Sequence, residues 1–193
     1  MSYTPNAFEE AAANLLAVAH SEYQTEIARA VEMIAGAFAV GNKILVFGNG
    51  GSAADAEHIC AEFLVRFSMQ RRALPAIALT TNPAATTACG NDFGFEQIFA
   101  RQVEAFGRPG DVAWAISTSG NSPNVLAAMQ CAREAGLGTI GLTGADGGAI
   151  ASFCDVLMAV PSRHTPRIQE VHLVTYHTIC HLVEERLFGV RNL

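Results

Sequence analysis

Charge is scarce in this sequence. Of 193 residues only 16% are Asp, Glu, Lys or Arg while half are hydrophobic, a surface too lean in charge for a solitary protein of this size, so an oligomer with buried interfaces is expected. Basic runs are missing as well. Nothing longer than Arg71-Arg72 occurs, and the formal net charge is -6 with a pI near 5.4. Those values argue against a counterion-releasing groove, and no nucleic-acid partner is expected. No two cysteines have C-x-x-C spacing. Cys60, Cys89, Cys131, Cys154 and Cys180 are odd in number and scattered, which suggests neither a disulfide framework nor a thiolate zinc site and suits a reducing cytoplasm. No apolar run is long enough to cross a bilayer, and the N-terminus lacks the basic start and apolar core of a signal peptide; a cytoplasmic protein with no membrane partner is expected. Linkers, repeats and low-complexity tracts are also lacking. One domain over residues 1–193 is therefore expected, with 1–40 as an N-terminal helical segment packing at subunit interfaces.

What is present is an alternation of strand and helix. From Phe8 to Phe38 apolar residues recur at helical spacing, as at Leu15, Val18, Ile27, Val31 and Ile34, predicting one long helix or two in series. Its apolar residues fall on more than one side, so it should meet a second subunit as well as its own domain. The runs Lys43–Phe47, Ala76–Leu79, Val112–Ile116, Thr139–Leu142 and Val156–Val160 read as buried parallel strands. Helical stretches lie between and after them at Ala53–Phe67, Phe95–Phe106, Asn124–Ala135 and Arg167–Phe188. The economical fold is α/β: a single doubly wound, mostly parallel five-stranded sheet flanked by helices.

Ligands of such sheets bind beyond the carboxyl ends of the strands. The loop after the first strand, Gly48-Asn49-Gly50-Gly51-Ser52, has glycines that let the backbone approach a ligand closely, and Ser52 is placed to cap the next helix and turn its N–H groups toward an anion. A tight turn with no ligand would explain that loop equally well. The end of the third strand is more telling. Ser117, Thr118, Ser119 and Ser122 surround Gly120 just before another helix, more hydroxyls than capping needs, and hydroxyls with helix N-terminal amides cradle a phosphate dianion. An acidic protein can bind phosphate this way, because net charge does not report such local potential.

Asn49-Gly50-Gly51-Ser52 together with Ile116 to Ser122 resembles the sugar-isomerase (SIS) domain. Ser52 to Phe63, Gly90 to Phe95, and Arg167-Ile168-Gln169-Glu170-Val171-His172 running on to His177 are similar to the phosphoheptose isomerases within that superfamily. The likeness covers nearly the whole chain. It implies conversion of sedoheptulose 7-phosphate to D-glycero-D-manno-heptose 7-phosphate, the entry to bacterial heptose precursors for lipopolysaccharide or other surface glycans. It also implies a homotetramer with active sites at subunit interfaces, one divalent metal per site, usually zinc, held by His58, Glu62, Gln169 and His177, and sugar contacts from Asn49, Gly50, Gly51, Ser52, Glu62, Gln169, Asn91 and Asp92. The Gly-Asn-Asp stretch alone reads equally as a turn. Glu57 beside His58, and Asn82-Pro83 in the loop before Asn91, depart from the commonest family pattern without removing a named group.

His58 and Glu62 are four residues apart, on one helical face, able to share a metal or pass a proton; an ordinary surface pair has the same spacing. His177 and His181 also have the spacing of a zinc pair, or of helix packing. Gln169 and His177 are eight residues apart, a rise of about 12 Å, too far for one helix to bring both to one ion. Either the last helix begins after Gln169 or the two come from different subunits, and the second explanation is favoured. Isomerisation needs a base, an acid and stabilisation of an enediolate; Glu62 is the candidate base and His177 the candidate acid. The rivals are a noncatalytic SIS protein that binds the replication initiator, a phosphosugar-sensing regulator, and an isomerase of another ketose phosphate. The first group lacks the carboxylate and imidazole that stand here at Glu62 and His177, and the second would need a helix-turn-helix for which the chain has no room.

Overall fold

The structure is a computed structural model that describes residues 6–189. Of the expected 1–193 unit and its 1–40 helical segment, residues 1–5 and 190–193 lie outside the described residues. The N-terminal pattern forms two helices in series, α1 (Asn6–Ala19) and α2 (Tyr23–Ala39). They part at Ser21, whose hydroxyl donates to Val18 O at 3.1 Å and accepts from Tyr23 N at 3.2 Å, a local side-chain bond that competes with the helical ladder. There follow β1 (Ile44–Gly48), α3 (Gly51–Leu64), β2 (Ala76–Ala78), α4 (Pro83–Asp92), α5 (Ala100–Phe106), β3 (Val112–Ser117), α6 (Pro123–Glu134), β4 (Gly138–Gly144), β5 (Val156–Val160) and α7 (Thr165–Phe188), with 3-10 turns at Phe95–Gln97 and Ala149–Phe153.

The five strands form one sheet in the order β2-β1-β3-β4-β5, parallel at every pairing. Period-two alternation divides their side chains between two cores. Ile44, Val46, Trp114 and Ile116 pack with α2, α3 and α7, and Leu45, Phe47, Ala113 and Ala115 pack with α5 and α6. Strand order reverses between β1 and β3, which makes the crevice beyond their ends the switch point of the sheet. Register brings those ends level, Gly48 opposite Ile116. The glycine loop and the serine loop therefore leave the sheet side by side. Among the described residues no helix is long and apolar enough to cross a membrane.

Several boundaries differ from the sequence expectation. Helix α3 stops at Leu64 rather than Phe67, because the N–H groups of Phe67, Ser68 and Met69 bond to the Glu184 carboxylate instead of to α3 carbonyls. Arg71 takes the last of those carbonyls, donating to Glu62 O at 2.7 Å and Phe63 O at 2.8 Å. The stretch 95–106 is a 3-10 turn plus a short helix rather than one helix. Residues 83–92, read as a loop, are a helix that starts at the Asn82 cap, whose Oδ1 accepts from Ala85 N at 3.0 Å, with Pro83 in the first turn. Helix α7 begins at Thr165 and runs unbroken to Phe188, which removes the possibility that it starts after Gln169.

Candidate active site

At the end of β1 the backbone turns at Gly50, with φ +57°, into α3. Gly50 is the N-cap, so Ser52 does not cap; it sits buried in the first turn, and no side chain occupies the free N–H groups. Helix α6 likewise starts at Ser122 with no side-chain cap bond. Two uncapped helix starts thus face one crevice, an arrangement suited to an anion. Between them Asn49 and Asn124 form a reciprocal amide pair at 2.9 and 2.8 Å, which engages the Asn49 side chain and braces the two loops against each other.

The serine loop is also firmly held. Ser117 Oγ lies 3.3 Å from Ser122 Oγ, Ser119 Oγ accepts from Asn121 N at 3.1 Å, and Thr118 O accepts from Gly144 N at 3.0 Å. Gly120, at φ +63°, presses against the Gly147 carbonyl so closely that a Cβ would collide with it. Gly51 has the same property toward Gln169, whose side-chain amide occupies the space a Cβ would need. Gln169 therefore lies against the glycine loop.

The second group of atoms lies further along α3. His58 Nε2 is 3.0 Å from Glu62 Oε1 and 3.5 Å from His177 Nε2 on α7, and one ligand atom from each of the three residues falls within 4.8 Å of the others. Behind His58, the Tyr176 hydroxyl lies 3.0 Å from Nδ1 and 3.4 Å from Asp55 Oδ1. Burial holds the His177 pKa below the usual imidazole value, and neighbouring His58 lowers it further. Burial raises Asp55, tempered by the Tyr176 hydroxyl and by His58. Burial raises Tyr176 as well, with Asp55 adding to the shift. Two imidazole nitrogens and a carboxylate oxygen converging on one point fit a divalent transition metal such as zinc.

Gln169 does not join this group within the chain, since eight residues of continuous helix separate it from His177. His181 does not join it either; it turns to Glu185, 3.5 Å away, so the His177/His181 zinc-pair reading fails. Asn91 and Asp92 form no free turn. They occupy the last turn of α4, exposed, with Asn91 Nδ2 donating to Asp92 Oδ1 at 2.7 Å. Sequence reasoning missed Asp55, Tyr176, Asn124, Arg71 and Glu184. Only Glu184 left a local signal: a carboxylate beside Val183 and one turn beyond Cys180, in line with the apolar residues of α7.

Comparison with known proteins agrees with this fold. The SIS domain family model matches residues 7–144. The chain is 56% identical to a phosphoheptose isomerase of Geotalea daltonii over 170 residues, 88% of each chain, and 59% identical to one of Pelobacter propionicus over 153 residues, 79% of this chain and 81% of that one. Among solved structures it is similar to phosphoheptose isomerase GmhA from Neisseria gonorrhoeae, with a TM-score of 0.87 at 42% identity over 92% of this chain and 95% of that chain. A phosphoheptose isomerase from Francisella tularensis gives 0.89 at 38% identity, over 92% and 94% respectively.

Proposed function

The chain belongs to the SIS domain family and, within it, to the phosphoheptose isomerases, and from that premise we propose that it interconverts sedoheptulose 7-phosphate and D-glycero-D-manno-heptose 7-phosphate, with Glu62 as base and His177 as acid. The observation that carries the assignment is the convergence of His177, on α7, with His58 and Glu62 on α3, the helix that starts at the glycine loop. The phosphate rests in the crevice between the loops, held by hydroxyls of Ser52, Ser117, Thr118, Ser119 and Ser122 and by the amides of Gly50 and Gly51, the Ser52 amide being bonded to Asn49 O. The sugar then runs along α3 toward Glu62.

Glu62 takes a proton from the carbon next to the carbonyl. His177, kept neutral by burial and by His58, offers its N–H to the oxygen on which charge develops. His58, Glu62 and His177 would hold zinc, which when bound supplies Lewis-acid polarisation of the carbonyl. Gln169 and the sugar contacts at Asn91 and Asp92 are completed by neighbouring copies in a homotetramer. Support for the assembly comes from α4, which has no buried residue, and from Phe93, Phe95, Leu173 and Val174, which are exposed large hydrophobics on the isolated chain. The product serves heptose precursors of surface glycans in the cytoplasm.

Incubation with sedoheptulose 7-phosphate and with pentulose and hexulose phosphates, each with zinc and with a chelator, tests the reading. Turnover of the heptulose is expected. Binding without turnover of any of them would favour a noncatalytic phosphosugar protein, and turnover of another ketose alone would reassign the substrate. Glu62 and His177 carry two assignments, ligand and proton carrier. Activity that depends on zinc assigns them first as ligands, and activity that survives chelation assigns them as proton carriers.

A further inference from the structure

Resting on the isomerase reading above, we propose that Tyr176 is a positioning residue which, with Asp55, fixes His58 in the tautomer that carries its proton on Nδ1 and so aims a bare Nε2 at Glu62 and His177. Within Asp55, Tyr176 and His58 Nδ1, one polarity gives the buried carboxylate a donor. Asp55 Oδ2 is buried without a partner in the chain, and Oδ1 has the Tyr176 hydroxyl at 3.4 Å. An ionised carboxylate can only accept, so the single proton of Tyr176 is directed to Asp55. The phenol oxygen is left to accept, and the atom facing it at 3.0 Å is His58 Nδ1, which must therefore bear hydrogen. A neutral imidazole with hydrogen on Nδ1 has a lone pair on Nε2. The opposite polarity would turn the phenol proton to His58 and leave Asp55 with no donor, the costlier way to bury a carboxylate.

The consequence falls on the reacting side of His58. Its Nε2 lone pair then sits 3.0 Å from a carboxylate oxygen of Glu62, two acceptors that draw together only around a cation or a proton, with His177 Nε2 3.5 Å away. Partners of this kind, one shell behind a ligand, fix its tautomer and ring orientation. The Tyr176 ring itself packs edge-on against both imidazoles, 5.4 Å from His58 and 4.9 Å from His177. Tyr176→Phe keeps that packing and deletes only the hydroxyl.

Zinc affinity, measured by competition with a chromogenic chelator, should weaken about ten- to a hundredfold in Tyr176→Phe. For the heptulose phosphate, kcat should fall with KM little changed, and the thermal midpoint should stay close to that of the wild type. Nitrogen-15 spectra of the metal-free wild type in mildly alkaline buffer should show His58 with hydrogen on Nδ1. Hydrogen on Nε2 in that spectrum, or unchanged zinc affinity in Tyr176→Phe, overturns the proposal. The wild-type spectrum decides the matter even if the variant folds poorly. A wild type that binds zinc with hydrogen on His58 Nδ1 yet turns over no heptulose phosphate would defeat the isomerase reading and leave the positioning role standing.

Discussion

Glu62 and Glu184 both meet the seam between α3 and α7, and their surroundings are opposites. Glu184 has a fully buried side chain and accepts from the N–H groups of Phe67, Ser68 and Met69, from Ser68 Oγ and from Arg71 Nε, all at 2.8 to 3.0 Å. Glu62 is 21% exposed and has one side-chain partner, His58, at 3.0 Å. Burial pushes the Glu184 carboxyl up, but the three backbone N–H groups outweigh it and hold the pKa below the ordinary value. A carboxylate whose lone pairs are all matched has no capacity left for a substrate or an ion. It ties α3, the 65–72 turn and α7 into one body. Glu62, held on that body with lone pairs to spare, is the carboxylate free to react.

The contrast is broken if the two glutamates respond alike to loss of charge. Glu62→Gln should lower kcat about 10³- to 10⁴-fold, about 4 to 5 kcal/mol of barrier, while urea denaturation moves by no more than about 0.5 kcal/mol, as for a partly exposed polar change. An active Glu62→Gln enzyme would leave that residue at most a structural role. Glu184→Gln should do the reverse. It strands the buried Arg71 guanidinium, whose side chain is 1% exposed, and should cost about 3–5 kcal/mol of stability read from the urea midpoint. Any loss of activity in Glu184→Gln should follow the folded fraction.

A pH titration of stability sharpens the contrast, because α7 carries a second buried titratable group. His172 donates from Nε2 to Thr143 O at 3.0 Å, and its buried Nδ1 has no partner. Burial lowers its pKa to about 4 from 6.5. The unfolded chain therefore binds the proton more readily. Stability is fully present above about pH 6.5 and is lost as pH falls toward about 4, by about 3 kcal/mol at 1.36 kcal/mol per pKa unit. Glu184 acts in a lower window: its depressed pKa gives stability that is present above the ordinary carboxylate value near 4.5 and lost below it. Urea midpoints across this range should fall in two stages, and His172→Asn should remove the upper one. A single stage below the carboxylate range would show that His172 is not held neutral.

How much of this is legible in the sequence depends on the range of the signal. Strands such as Val112–Ser117 announce themselves as short apolar runs buried on both faces, and the alternation with helices fixes a parallel sheet. Helix α4 does not, since its residues are small or polar and none is buried; its only cue is the local start at Asn82-Pro83, which a periodicity search passes over. In the site, the spacing of His58 and Glu62 is readable as one helical face. That His177 closes on them follows from family resemblance and not from pattern. Tyr176 meets Asp55 across 121 residues and His58 across 118, separations at which neither propensity nor spacing carries information.

The smallest expected effect concerns the crevice itself. Asn49 and Asn124 come 75 residues apart in the chain, one from each phosphate-facing loop, and Asn124 is 2% exposed. If their amide pair is only a brace, Asn124→Ala should cost about 1–2 kcal/mol of stability and raise KM for the phosphosugar by less than about tenfold, the equivalent of 1.4 kcal/mol, with kcat unchanged. The loops remain pinned from the other side by Gly120 against Gly147 and by Thr118 O to Gly144 N, which is why the loss should be modest. Asn49→Ala removes the same pair from the side facing the crevice. Equal KM values for the two variants, measured in parallel, would make Asn49 a brace; a KM that rises further in Asn49→Ala would mean that its second amide N–H reaches the phosphosugar as well as Asn124.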